Sequence, residues 1–339
     1  MNHRNPGPLM SRYPLFDRRE LSVEPIAQRE HLLRLPEFLA PLDGPPPLGD
    51  HPALVAVAER LRQAKYHNRA RILAMGAHVL RAGCGPHLIE MMENGELSLL
   101  AFNGAGAIHD YELALVGATT ESVPKYIADG RFGLWKETGV LNEVVRTAAN
   151  CGMGLGEALG KIILEADFPH KEHSVFAAAY RLGIPATVHV GIGYDIVFEH
   201  PNCDAAAWGE ASYTDFLIFT KEVERLEGGV FLCLGSAVMG PEVYLKALAM
   251  ARNVARQRGE RISDFTTLVG DLIPIQGDPH AEAPKTDPQY YYRPYKTILV
   301  RTVADGGESH YVAADHRQTV PTLLHHLRRG RSIEGNGRS

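Results

Sequence analysis

An alternation of short apolar runs with longer amphipathic segments, from about residue 52 onward, limits the fold of this chain more than anything else in it. Five runs stand out: RILAMGAHVL, LSLLAFNG, PATVHVG, GGVFLCLGSA and FTTLVGDL. Each is short, apolar on both faces and bounded by turn residues, which predicts a strand buried on both sides. HPALVAVAERLRQAKYH predicts a helix, as do GCGPHLIEMMENG (opening near Pro86), IHDYELALVG, and stretches near 206–226 and 241–258. Residues 120–183 read as a helical excursion that includes GLGEALGKIILEAD and HSVFAAAYRLG. Apolar strands separated by helices predict a parallel sheet covered on both faces, an α/β doubly wound architecture. Beyond residue 297, TILVRTV and SHYVAAD predict one or two further strands, and TVPTLLHHLRR a closing helix.

The 339 residues are enough for one large core. The expected organisation is an extended, proline-rich arm over 1–50, a single domain over 51–329 and a disordered tail over 330–339. The arm ends in PLDGPPPLGD, cannot nucleate a core, and reads as a strap over its own domain or a neighbouring subunit. A formal net charge of −5 argues against nucleic acid or an anionic membrane as partner. No apolar run approaches the roughly 18–20 residues of a membrane span. MNHRNPGPLM has no apolar centre for a signal peptide, and the four cysteines form no C-x-x-C pair. A soluble, cytoplasmic enzyme is the expectation.

In open parallel sheets, ligands bind beyond the carboxyl ends of the strands, where helix N-termini present free N–H groups. Five such ends carry notable residues: Gly76-Ala77-His78 with Arg81; Asn103-Gly104-Ala105-Gly106 running on to His109-Asp110; His189 running on to Asp195; Gly235-Ser236; and Gly270-Asp271. Glycines there let backbone amides approach a phosphate closely. Singly, each has a plainer reading. Gly104-Ala105-Gly106 is not a full G-x-G-x-x-G, and His109-Asp110 serves equally as a capping pair. His78 and His189 end apolar strands, where core histidines are common, and Asp195 suits a helix cap. Their joint placement predicts a ligand-binding edge.

His170 and His173 flank Glu172 without a third zinc ligand, so no metal site is expected. Neither a P-loop nor a G-x-S-x-G elbow occurs. Lys296 follows the aromatic, proline-broken DPQYYYRPY, with Tyr290, Tyr291, Tyr292 and Tyr295 nearby. In an apolar pocket, desolvation lowers a lysine's pKa and leaves an imine-forming amine. The alternative is a surface lysine before a strand, with the tyrosines as packing.

Over roughly residues 50–329 the order of these motifs resembles the deoxyhypusine synthase family. AMGAHVLRAGCGPHLIEMMENGELSLLAFNGAGAIHDYELAL looks like its first strand, helix, second strand and acidic NAD loop. HSVFAAAYRLGIPATVHVG, GGVFLCLGSAVMGPEVYLKALAMAR and DFTTLVGDL are similar to its next strand–helix segments. DPQYYYRPYKTILV and YVAADHRQTVPTLL resemble its catalytic-lysine segment and closing NAD loop. The resemblance implies a Rossmann-like NAD/FAD-binding fold and NAD as cofactor. It implies cofactor contacts at Ala77, His78, Asn103, Gly104, Ala105, Asp110, Gly235, Asp315 and His316. It further implies an imine-forming Lys296, a spermidine-like amine held by Asp195 and Tyr295, and proton transfer at His109 or His189. An aminobutyl group would pass to an acceptor amine, on a protein or a small molecule, in a homotetramer.

Departures fall on amine recognition: Pro294-Tyr295 replaces a tryptophan-glycine pair, His109 a glutamate, and Pro241 a substrate-binding histidine. The Asn103…His109-Asp110-Tyr111-Glu112 stretch also looks like the NAD-binding domain of archaeal and cyanobacterial ornithine cyclodeaminases. The expected activity is therefore NAD-dependent aminoalkyl transfer. The alternatives are an NAD-dependent amino-acid cyclodeaminase or dehydrogenase, and a non-catalytic NAD-binding protein.

Overall fold

The computed structural model describes residues 11–336, with side chains as far as 331. Among these residues the chain folds around one six-stranded, wholly parallel sheet. The short pair β1 (Leu33–Arg34) and β4 (Ala118–Thr119) lies outside it, and β2 (Arg71–Met75) begins it. The others are β3 (Leu99–Asn103), β5 (Ala186–His189), β6 (Val230–Leu234), β7 (Thr266–Asp271) and β8 (Glu308–Ala313). Their order across the sheet is β5-β3-β2-β6-β7-β8. Numbered by their succession in the sheet this is 3-2-1-4-5-6, the dinucleotide-type doubly wound order, with its reversal between β2 and β6.

The helices are α1 (Pro52–Tyr66), α2 (His78–Arg81), α3 (Gly85–Glu93), α4 (Gly104–Val116), α5 (Val123–Ile127) and α6 (Leu141–Cys151). They continue with α7 (Leu155–Glu165), α8 (Val175–Leu182), α9 (Ala205–Val223), α10 (Met239–Gln257) and α11 (His316–Asn336). Two cores result. Leu73, Met75, Leu100, Phe102 and Leu232 face one side with α1, α3, α4 and α8. Ile72, Ala74, Ala101, Phe231 and Val269 face the other with α9 and α10. The strands are apolar throughout because both faces are covered. None of the described helices is long and apolar enough to cross a membrane.

Two expectations are corrected. TILVRTV does not form a strand. Pro294–Arg301 is a wide, π-type helix that carries the chain from β7 back to β8. Those neighbours are parallel, so the connection must return along the whole sheet, and a helix is the usual way. Pro294 opens the helix, and Ile298, Leu299 and Val303 are buried against the β7 side of the core, overriding the strand preference of Thr, Ile and Val. Nor is the C-terminal segment a tail from residue 330, because α11 continues through Asn336. Arg331 holds that end to Glu96 and Glu90, at 2.8 and 2.9 Å. The last three residues of the expected tail and the first ten of the expected arm lie outside the described residues.

The arm straps its own domain. β1 pairs antiparallel with β4, and Ile26 is buried against Tyr126 and Trp135. Ala40 donates to the Gly83 carbonyl, and Gly83 has φ +76 with no room for a Cβ beside Phe38 and Leu39.

Candidate functional site

At the reversal between β2 and β6, the two strand ends close on each other. A Cβ on Gly76 would lie 2.1 Å from the Gly235 carbonyl oxygen, and one on Gly235 would lie 2.5 Å from His316 Nε2. Around this point stand buried Ala77, exposed His78, Asp315 (which accepts from the Arg317 N–H) and buried His316, whose Nδ1 has no partner among the described residues. Partial desolvation and the neighbouring Arg81 cation hold the His78 imidazole below its ordinary pKa, and burial does the same for His316.

One strand over, beyond the end of β3, the edge opens into a cavity of about 440 Å³. Its polar wall is Arg29, Arg81, His109, Glu112, Thr120, Glu121 and Asp195; Leu32, Ile108, Val123, Pro124, Phe132 and Ile196 form the apolar wall. Three polar atoms of this cavity are buried without a hydrogen bond among the described residues: Arg81 Nε, Thr120 Oγ1 and Asp195 Oδ2. Thr120 also has φ +65, a conformation a β-branched residue adopts only when its surroundings impose it.

Asp195 lies over the N-terminus of α4. A Cβ on Gly104 would lie 2.2 Å from its Oδ2, and the Ala105 N–H donates to its carboxylate. The bare Gly104-Ala105 turn is therefore filled by the chain's own acid. Burial pushes the Asp195 carboxyl up to about 6, with the Ala105 N–H opposing. Glu121 is also raised by burial; it accepts from Trp135 Nε1 at 2.9 Å and the Gly133 N–H at 3.1 Å.

His109 is backed by a chain of hydrogen bonds. Its Nδ1 is 2.7 Å from Thr119 Oγ1, and Thr119 Oγ1 donates to Glu112 Oε2 at 2.7 Å. Glu112 also accepts from Thr138 Oγ1 at 2.8 Å and from both arms of the Arg29 guanidinium at 2.8 and 2.7 Å. Burial alone would raise Glu112, but the Arg29 fork outweighs it and holds the carboxyl below its usual range. An ionised Glu112 only accepts, so Thr119 spends its single proton on it and must accept from His109. Nδ1 then carries the hydrogen and Nε2 keeps the lone pair. Burial lowers the His109 pKa to about 4, so the ring is neutral at pH 7.

Other expected residues fall elsewhere. Asn103 Oδ1 caps α4 by accepting from the Gly106 N–H at 2.9 Å. Asp110 turns away from the cavity and caps α8, accepting from Ser174 Oγ and the N–H groups of Val175 and Phe176. His189 is a core histidine, 3.0 Å from Thr187 Oγ1 and edge-on to Phe219. Tyr295 is buried on the β7 side of the core and donates to the Ala281 carbonyl. Lys296 is buried 3.8 Å above the Tyr290 ring and is not among the residues lining the cavity.

Sequence patterns did not mark Arg29, Thr119, Thr120 or Glu121. Arg29 lies in the proline-rich arm, 83 residues from its partner Glu112, where local spacing carries no signal for the pair. Glu112 did carry a signal: it sits three residues beyond His109 on one helix face.

No known protein-family model matches this sequence, and no curated protein matches it. Among solved structures, the chain is similar to ArgZ, an arginine dihydrolase from the cyanobacterial ornithine–ammonia cycle. The identity is 17%, the TM-score 0.47, and the match covers 81% of this chain and 32% of that one. It is also similar to AgrE solved with ornithine and NAD+, at 15% identity and a TM-score of 0.48, covering 83% of this chain and 33% of that one. A proposed deoxyhypusine synthase from Entamoeba histolytica matches at 9% identity with a TM-score of 0.43, covering 82% and 87%. The chain spans about a third of the length of ArgZ and AgrE.

Proposed function

We propose that this protein is an NAD-dependent oxidoreductase of small amines, with the amine in the β3 cavity and the dinucleotide along the adjoining strand ends. The single observation that carries this reading is the His109–Thr119–Glu112 hydrogen-bond relay, 2.7 Å at each step, on the wall of a cavity that also holds Asp195. Several features at the strand reversal suit a dinucleotide. No side chain intrudes from Gly76 or Gly235, His78 is exposed, and His316 Nδ1 has no partner among the described residues. Backbone from Gly76 to His78 and from Gly235 to Ser236, with His316, would hold it.

The chemistry NAD supplies when bound is acceptance of a hydride from the carbon that bears the amine. Asp195, ionised above about pH 6, holds the substrate's cationic nitrogen by a charge-assisted hydrogen bond. His109 Nε2 accepts the N–H of the reacting amine and takes its proton as the C=N bond forms. The imidazolium that results is stabilised through Nδ1–H, Thr119 and the Glu112 carboxylate. The apolar wall, with Phe132 and Ile196, excludes water from the imine.

A second reading, aminoalkyl transfer through Lys296, is favoured by one observation. That lysine is buried among tyrosines, and its ammonium forms no ion pair within 4 Å among the described residues. Because Lys296 is off the cavity of its own chain, transfer requires a second copy to supply it.

Calorimetry with NAD, followed by absorbance of the reduced cofactor across an amine panel, tests the proposal. Binding together with amine-dependent reduction is expected. Absence of binding at millimolar NAD contradicts it. Loss of product transfer, but not of oxidation, in Lys296→Ala would favour the second reading.

A further inference from the structure

We infer that Arg29, on the N-terminal arm, is a positioning residue that sets which ring nitrogen of His109 carries the proton, acting through Glu112 and Thr119. The inference rests on the reading of His109 as the base of the cavity. Its physical basis is separate, because it follows from hydrogen-bond directions alone.

Imidazole in water prefers its hydrogen on Nε2, the nitrogen that here must stay bare. The protein therefore has to impose the less favoured tautomer. Thr119 does so only while its hydroxyl proton points away from His109, and it points away only while Glu112 is ionised. Glu112 is buried, and the bidentate Arg29 fork is the cation that pairs with it, at 2.7 and 2.8 Å. Both side chains are almost fully enclosed, at 1% and 2% exposure.

Remove the guanidinium and the buried carboxylate takes up a proton to shed its charge. A protonated Glu112 donates to Thr119. The Thr119 hydrogen is then free to point at His109 Nδ1, and the ring carries its hydrogen on Nε2. The site gains one proton in all: the Nδ1 hydrogen passes to Thr119, the Thr119 hydrogen passes to Glu112, and Nε2 takes the added proton from water in the cavity. The same strap places Leu32 in the cavity wall and hydrogen-bonds through the Leu32 N–H to the Thr120 carbonyl at 2.8 Å. The arm is thus part of the proton-handling apparatus as well as a wall.

Besides Glu121 and Asp195 on the same cavity wall, four charged or titratable groups act on His109. Arg81 and His78 stand on the strand-end side, and Glu112 and Arg29 behind, all within electrostatic reach. Of these, only the Glu112–Arg29 pair connects to Nδ1 through a continuous chain of hydrogen bonds among the described residues.

The test is long-range ¹H–¹⁵N correlation on full-length, histidine-labelled protein at pH 7, with the His109 signals assigned by their loss in His109→Asn. The wild-type ring is expected as the Nδ1–H form, retained in Thr119→Ser, which keeps the hydroxyl. Thr119→Val and Arg29→Met are expected to convert it to the Nε2–H form, and Arg29→Lys to restore most of the Nδ1–H signal. An Nε2–H wild type, or an Nδ1–H form that survives both Thr119→Val and Arg29→Met, overturns the inference. If Arg29→Met does not fold, Thr119→Val decides. With an amine that reduces NAD, Thr119→Val should also lower kcat about 100-fold and change NAD affinity less than about threefold. A tautomer switch in a protein that binds no NAD would leave this inference standing and remove the function proposed above. Amine oxidation without the switch would do the reverse.

Discussion

Two regions of the same sheet edge are built from buried polar groups, yet they balance their hydrogen bonds differently. On the Lys296 side of the core three tyrosine hydroxyls are spent, while Tyr244 Oη is buried without a partner among the described residues. Tyr292 donates to Asp271 at 2.6 Å, Tyr295 to the Ala281 carbonyl, and Tyr311 to the Ile273 carbonyl. In the β3 cavity, Arg81 Nε, Thr120 Oγ1 and Asp195 Oδ2 are buried without partners among the described residues, and Thr120 is held at positive φ. Leaving a buried polar atom unpaired costs on the order of 1–3 kcal/mol each. That cost is offset when a bound molecule or water completes the bonding. Under the function proposed here, the aromatic density around Lys296 is packing and the unmet polar groups of the β3 cavity are the site.

The largest expected effect separates the two regions by activity. His109→Asn should lower amine-dependent NAD reduction about 10²–10⁴-fold, while Lys296→Ala should change it less than threefold, within about 0.7 kcal/mol. Steady-state kinetics on both variants decide the matter. Equal losses would erase the distinction between the two regions.

Next in size is stability. Arg29→Met leaves Glu112 buried without its cation and should cost about 3–5 kcal/mol in denaturant unfolding. Tyr295→Phe removes one satisfied neutral hydrogen bond and should cost about 1 kcal/mol. A small effect of Arg29→Met would mean that water reaches Glu112 in solution.

Asp195 gives the third effect, with a definite sign. Its folded pKa of about 6 lies above the ordinary 3.8, so the folded state binds the extra proton between those values. Stability contributed by the protonated carboxyl is therefore present below about pH 4 and is lost as pH rises through about 6. Asp195→Asn should accordingly raise stability at pH 8 by on the order of 2–3 kcal/mol, and weaken amine binding. In the unsubstituted protein, KM for the amine should fall as pH rises through 6. A destabilised Asp195→Asn protein would place Asp195 among structural caps such as Asp110.

The smallest effect concerns Thr120. Glycine relieves the positive φ and should stabilise by about 1 kcal/mol, with reduced turnover. Unfolding curves paired with kinetics would reveal this opposition, and a loss of both would mean the Thr120 hydroxyl serves the fold.

The sheet was legible in the sequence because apolar runs bounded by glycine and proline are dictated by burial on both faces. Pro294–Arg301 has strand-like composition, and only the parallel pairing of β7 with β8 demands a helix there. The site was half legible. His109 and Asp195 are in the cavity because strand ends converge there. Asp110, two residues before Glu112, looks equivalent in sequence, but the helix turn points it at α8 instead. Arg29, Thr119 and Thr120 meet through the arm, a long-range pairing that no local spacing records.

A crystal structure with NAD bound is the decisive measurement. The dinucleotide is expected along the ends of β2 and β6, with its nicotinamide in the β3 cavity beside His109 Nε2. A nicotinamide lodged against Lys296 of the same chain, or density absent from both places at saturating NAD, would contradict that placement and the function built on it.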